Sequence, residues 1–259
     1  MKRQVVFAYG LLAYGVFAAW VVLAIGFLSG LYGKTVDAGP ATPATAAVLI
    51  DLGLLLVFAG HHSLAARSGF KAWLARHLPS AAERSTYVLI ASVLMLVVIW
   101  QWRPLPQPLW SLDSAWAAGI VYGLHGLGWV IVFASTFQIS HWQLFGLEQV
   151  YRYWRALPAA TDGFHSPWLY RLVRHPMMTG LIVVFWTTPT MTLGRLLFAG
   201  VLTGYILVAT RWEERDLERE LGEAYRRYRA RTPRLLPGVP VSGKEATEPD
   251  RFDAARQRR

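Results

Sequence analysis

Apolar residues run in long blocks along this chain, separated by short polar stretches. A bilayer core of about 30 Å takes about 20 apolar residues as a helix, and Val5 to Leu31, free of charge throughout, meets that length. Met1-Lys2-Arg3 ahead of it has the look of a cleavable signal. Signal cores run only about 7–15 residues, so a retained first helix is predicted. Blocks at Ala44 to Ala66, Tyr87 to Trp100 and Ala115 to Ile139 predict three more spans. The last block, Met178 to Thr210, is too long for one span and is interrupted at Thr187-Thr188-Pro189-Thr190 and at Gly194-Arg195. Pro and Gly there predict a hairpin of two short helices. The expected fold is all-α: a polytopic integral membrane helical bundle with about six transmembrane segments, the last two a short hairpin.

From Arg211 the pattern changes. Charges crowd Arg211 to Arg231, while Leu217, Leu221 and Tyr225 recur every four residues. One apolar stripe on a charged segment predicts a cytoplasmic C-terminal helix lying on the membrane or on the loops, ended by Pro233 and Pro237. Residues 1–237 read as a single membrane domain. Residues 238–259, poor in apolar side chains, read as a disordered cytoplasmic tail.

Composition agrees: 54% of the 259 residues are hydrophobic and 16% charged, where a soluble domain carries about a quarter charged residues. The net charge of +10 suits an anionic membrane surface, and no basic run interleaved with aromatics offers a nucleic-acid face. With both termini inside, the outer loops hold only Lys34, Arg103 and Arg195 of the 26 Lys and Arg. The positive-inside rule then favours six spans over five, with N- and C-termini cytoplasmic in a bacterial inner membrane. There are no cysteines, which excludes disulfides, thiolate metal sites and a cysteine nucleophile. Dinucleotide, phosphate-loop and HExxH patterns are missing, and no metal is expected.

Ionisable side chains near a bilayer core are costly, so each calls for a reason. In the six-span arrangement His61, His62, Glu83, Arg84, His141, Arg174, His175, Glu213 and Glu214 all fall at the cytoplasmic interface. Interfacial His and Arg also snorkel to headgroups, so the convergence carries the reading rather than any single residue. His125, between Gly123 and Gly126, reads as a hydrogen-bonded core histidine and Asp51 as locally bonded. Trp100, Trp102, Trp110 and Trp116 read as an interfacial belt.

The ordered set Tyr170-Arg171-Leu172-Val173-Arg174-His175-Pro176, Gly180, an apolar hairpin, Glu213-Glu214, Gly222, Tyr225, Tyr228 and Arg234-Leu235-Leu236-Pro237 closely resembles a known C-terminal signature. It is that of the isoprenylcysteine carboxyl methyltransferase and phospholipid methyltransferase superfamily, integral membrane enzymes that use S-adenosylmethionine. Earlier segments, His62-Ser63, Phe70-Lys71, Glu83-Arg84-Ser85-Thr86-Tyr87, Leu144-Phe145-Gly146-Leu147 with Gln149, and Trp186 to Thr192, resemble its methanethiol S-methyltransferase subgroup. Relatives named for denitrification operons share parts of this pattern. The chain departs from the superfamily at Met178, usually Tyr, and in the spacing of Gly163 and Tyr170.

The resemblance implies an S-adenosylmethionine site at about residues 170–237, with Tyr170, Arg174, His175, Gly180, Glu213, Glu214 and Tyr225 as its residues. Arg174 and His175 would hold the aminoacyl end, Arg174 through two parallel hydrogen bonds. Glu213 or Glu214 would bind the ammonium or the ribose hydroxyls. The implied reaction is in-line methylation of a small thiol, methanethiol giving dimethyl sulfide. His62 or His141 would take or orient the thiol proton, Glu83 or Arg84 would set the local charge, and Trp142, Phe145 and Trp186 would line a small apolar cavity. The expected partners are the thiol and membrane lipids, with no obligate protein partner. Two alternatives stand beside this: a lipid or prenylcysteine carboxyl acceptor, and a non-enzymatic haem-binding or transport protein built on His61, His62, His125 and His141.

Overall fold

A computed structural model describes residues 2–31, 33–65, 67–159 and 167–238. In chain order these form α1 (Arg3–Ser29), α2 (Ala44–Ala65), α3 (Ser68–Leu74), α4 (Ser80–Gln101), β1 (Pro108–Ser111), α5 (Ala115–Ile139) and α6 (His141–Leu144). There follow α7 (Leu147–Arg155), α8 (Trp168–Leu172), α9 (Pro176–Trp186), β2 (Thr190–Thr192), α10 (Leu193–Leu221) and α11 (Glu223–Arg231). Among the described residues five helices, α1, α2, α4, α5 and α10, are long and apolar enough to cross a membrane. The sixth apolar helix, α9, has 11 residues and rises only about 16 Å.

The helices pack in an arc: α5 on α9, α9 on α10, α10 on α2, α2 on α4, and α4 on α1. Small residues set the closest approach. A methyl group at Gly180 of α9 would stand 2.7 Å from the Gly128 carbonyl oxygen of α5, so only hydrogen lets these two backbones meet. The main apolar core joins Phe27, Leu55, Met95, Trp102, Val184 and Phe198. It lies toward the end where the chain turns between α1 and α2, α4 and α5, and α9 and α10.

That end is closed by polar ties. β1 and β2 pair antiparallel, a ribbon the all-helical expectation did not include. The Trp102 indole donates to the Val36 carbonyl at 3.0 Å. Arg195 donates to Asp37 at 2.6 Å and to the Leu28 carbonyl at 2.9 Å. Asp51, fully buried, accepts from the Arg103 amide at 2.9 Å, a partner 52 residues away rather than the local one expected. Lys34, Arg103 and Arg195 thus gather at one end of the bundle.

Two helix boundaries are corrected. The third apolar block is helical from Ser80, so Glu83 and Arg84 lie inside α4 rather than ahead of it. The charged segment after Thr210 is not one separate helix: its first half continues α10, which is therefore not short, and only Glu223–Arg231 stands apart as α11. No Gly or Pro interrupts residues 205–221, so α10 runs unbroken from Leu193 to Leu221 and ends at Gly222, where φ is +59° and a residue without Cβ is favoured. The expected tail beyond Gly238 and the Gly163 position lie outside the described residues.

Candidate functional site

Phe198, Leu202, Ile206, Thr210 and Glu214 are buried at every fourth position of α10, one stripe of a helix with 3.6 residues per turn. The last member is an acid, 2% exposed. A buried carboxylate needs partners, and two guanidinium groups and an imidazole supply them. Arg174 Nε donates to Glu214 Oε1 at 2.7 Å, and His175 Nε2 lies 3.1 Å from the same oxygen. Arg234 reaches Oε2 through Nη2 at 2.9 Å and Nε at 3.1 Å.

Backbone bonds hold this cluster from the C-terminal side. The Arg174 amide donates to the Pro233 carbonyl at 2.8 Å and the His175 amide to the Arg234 carbonyl at 3.1 Å. Thr179 Oγ1 donates to the Leu235 carbonyl at 2.7 Å. Residues 232–235 therefore form a strap across the start of α9, whose first position is Pro176, the place where a missing amide costs nothing. Arg174 Nη1 also donates to the carbonyls of Arg229, at 3.1 Å, and Thr232. Each fork of its guanidinium already has one nitrogen engaged. The two parallel bonds to a cofactor carboxylate expected of Arg174 are not free in this arrangement.

Glu213 differs from its neighbour. About 100° around the helix from Glu214, its side chain is 55% exposed, and its Oε2 stands 3.7 Å from His175 Nδ1. Its charge is felt at the hydroxyls of Tyr87, Tyr170, Tyr205 and Tyr225. The His175 ring lies between a committed acid and an open one. Tyr228 donates to the Tyr170 carbonyl at 2.6 Å. Burial pushes the Tyr170, Tyr225 and Tyr228 hydroxyls up, Tyr228 to about 12, so these phenols stay neutral at physiological pH.

A second polar group is built from α2, α4 and α10. The Tyr87 hydroxyl is 2.7 Å from His62 Nε2, Ser63 meets the Tyr205 hydroxyl at 3.2 Å, and the Tyr205 ring stands edge-on to His62 at 6.0 Å. The Arg84 guanidinium lies 5.9 Å over the Tyr87 ring. Tyr87, Tyr205 and Arg234 were not singled out from the sequence as site residues. Tyr87 lies four residues after Glu83 and three after Arg84, a helical spacing that would have placed it on their face.

His141 sits in a different box. Nε2 meets the Tyr14 hydroxyl at 2.8 Å and Nδ1 meets Thr136 Oγ1 at 2.9 Å, while the ring stacks on Phe137 at 4.3 Å. Burial holds its pKa below the ordinary histidine value. Trp142 and Phe145 join this aromatic cluster around Tyr14. Trp186 does not: it ends α9 and donates to Thr203 at 2.9 Å, so the three proposed lining residues do not share a cavity. Gly180 serves the α5–α9 contact.

The four histidines of the haem alternative also fail to converge. His125 is buried among Ser29, Trp129 and the Thr187 carbonyl, as the core reading expected, and 16 positions of helix and turn separate it from His141. Among the described residues no group of three or more His, Asp or Glu is arranged to hold a metal ion.

The family model described as NnrU protein matches residues 49–241, and the chain belongs to that family. Methanethiol S-methyltransferase of Mycobacterium tuberculosis is 49% identical over 238 residues, covering 92% of this chain and 98% of its own length. Methanethiol S-methyltransferase 2 of Bradyrhizobium diazoefficiens is 45% identical over 236 residues, covering 91% of each. Nurim of Sus scrofa is 34% identical over 175 residues, covering 64% of this chain and 66% of its own. No solved structure matches. The resemblance read from the motifs is borne out.

Proposed function

We propose that this chain methylates methanethiol to dimethyl sulfide, with S-adenosylmethionine as the donor, on the cytoplasmic side of a bacterial inner membrane. The names of its relatives support the reaction. The observation that carries the site is the open carboxylate of Glu213 beside His175, facing a ring of neutral hydroxyls. Such a donor set fits a cationic ligand with a ribose, and the basic end of the chain supports a cytoplasmic orientation.

S-adenosylmethionine, when bound, would supply an electrophilic methyl group on its sulfonium for transfer to the thiol sulfur. Glu213 holds the ammonium or the ribose hydroxyls. Glu214 binds no ligand: it fixes Arg174, His175 and Arg234, and through them the strap. Tyr225, buried against the Glu214–Arg174 pair, closes that side. On the thiol side His62 takes or orients the proton through Tyr87. His62 is the better candidate because both its ring nitrogens lie near a single hydroxyl, that of Tyr87, which can occupy only one of them, whereas two separate hydroxyls engage the two nitrogens of His141.

Orientation is the larger effect. Correct placement of two reactants is worth roughly 7–11 kcal/mol, whereas general-base help of about 10²–10⁴-fold amounts to roughly 3–5 kcal/mol. The test is headspace gas chromatography of membranes given S-adenosylmethionine and methanethiol. Dimethyl sulfide that vanishes in His175→Ala is expected. Donor binding without product would redirect the search to lipid acceptors, and neither binding nor product would sink the methyltransferase reading.

A further inference from the structure

Between α2, α3 and the first turns of α4 lies a cleft of about 130 Å³. That is smaller than the roughly 300–1,000 Å³ of pockets that hold drug-sized ligands, and it suits a small molecule. Ala65 and Phe70 form its apolar wall, and Lys71, Glu83 and Arg84 its charged one. Two cations against one acid leave it net positive. The Lys71 side chain is exposed and makes no ion pair among the described residues. Leu74 and Tyr87 complete the lining, yet the Tyr87 hydroxyl bonds His62 and feels the charge of Glu213. One side chain therefore divides this cleft from the candidate reaction site.

We propose that the cleft is the port through which the methyl acceptor arrives, already ionised, as a small thiolate. This inference rests on the reading of the chain as a thiol methyltransferase. Thiols titrate near 8.5 or above, and the thiolate is the nucleophile. A cationic cleft with an apolar wall concentrates the anion over its neutral parent. The S–H bond breaks at the mouth and its proton passes to water; the thiolate sulfur would then bond to the methyl carbon as the donor's carbon–sulfonium bond breaks, its electron pair staying on the donor sulfur. With a ring N–H of His62 donating to the Tyr87 oxygen, the Tyr87 hydroxyl proton is left to donate to the incoming sulfur. His62 on this account orients and takes no proton.

Because the chain has no cysteine, Ala65→Cys supplies a lone thiol inside the cleft and Phe70→Cys a second probe should the first fail to fold. We expect iodoacetate, relative to neutral iodoacetamide, to alkylate either cysteine about tenfold faster than it does an exposed cysteine at Ser80. Lys71→Gln in the same background should remove most of that preference. In the cysteine-free enzyme Lys71→Gln should raise KM for methanethiol about threefold to tenfold, more at low salt, with KM for S-adenosylmethionine unchanged and Lys71→Arg restoring the thiol KM. Active enzyme with no preference for the anionic reagent, or with a thiol KM indifferent to Lys71, overturns the port and leaves the reaction standing. An anionic preference in a protein that makes no dimethyl sulfide overturns both the thiol reading and the port, leaving an anion cleft of other purpose.

Discussion

Glu214 and Arg174 form an ion pair at 2.7 Å with side chains only 2% and 6% exposed, joining the last third of α10 to the residues just ahead of α9. A pair so far from water adds little net stability as a pair, but removing one member leaves the other buried and uncompensated, at a cost of about 3–5 kcal/mol. Glu214→Gln should therefore lower the thermal unfolding midpoint sharply and loosen the strap, read as faster proteolysis after Arg231. An unchanged midpoint would show that the cluster is not structural.

Glu213→Gln should behave in the opposite way. Its side chain is half-exposed, so the fold should hold. Loss of one charge-assisted hydrogen bond is worth about 1.5–3 kcal/mol, or roughly tenfold to a hundredfold in donor affinity, measurable by equilibrium binding of S-adenosylmethionine. Full affinity in this variant would remove Glu213 from the site.

Gly180→Ala tests the α5–α9 contact. The added methyl would meet the Gly128 carbonyl at 2.7 Å and Val132 at 2.9 Å, and backbone cannot yield as a side-chain tip does. A loss of about 1–3 kcal/mol is expected. Gly123→Ala, with nothing within 4 Å of the new methyl, is the control and should be neutral or stabilising in its helix.

Tyr87→Phe keeps the ring that lines the cleft and removes the hydroxyl that meets His62. A drop in kcat with donor affinity intact is the expected result, from single-turnover kinetics at saturating S-adenosylmethionine. His62→Ala should act in the same direction, and the double variant should cost little more than either alone, since the two residues form one unit.

His141 predicts a pH effect on stability. Burial lowers its pKa, so as pH falls below about 6.5 the unfolded chain takes up the proton first. The stability it contributes is present above that value and is lost as pH falls through its folded pKa. The unfolding midpoint should fall more steeply between about pH 7 and about pH 5 in the wild type than in His141→Gln. Parallel curves would contradict a buried neutral imidazole.

The apolar blocks were enough to place α1, α2, α5 and the break between α9 and α10 to within a few residues, because a spanning helix must satisfy its own backbone inside about 30 Å of hydrocarbon. The ordered motif from Tyr170 to Pro237 pointed to the family. Helix ends escaped for a simple reason. Ser80 to Thr86 and Arg211 to Leu221 are polar yet helical, and hydropathy marks where lipid stops rather than where the helix does.

What the sequence by itself determined is the membrane bundle, its family and the residue types at one end. Only the tertiary structure separated Glu213 from Glu214, tied Arg174 to Arg229 and Thr232, and brought Arg234 onto the same carboxylate. Only it moved Trp186 away from Phe145 and set Tyr87 between His62 and the cleft. The physical reason is that neighbouring positions on a helix face directions about 100° apart. Which direction is inward, and which partner waits there, is decided by packing against residues far away in the chain.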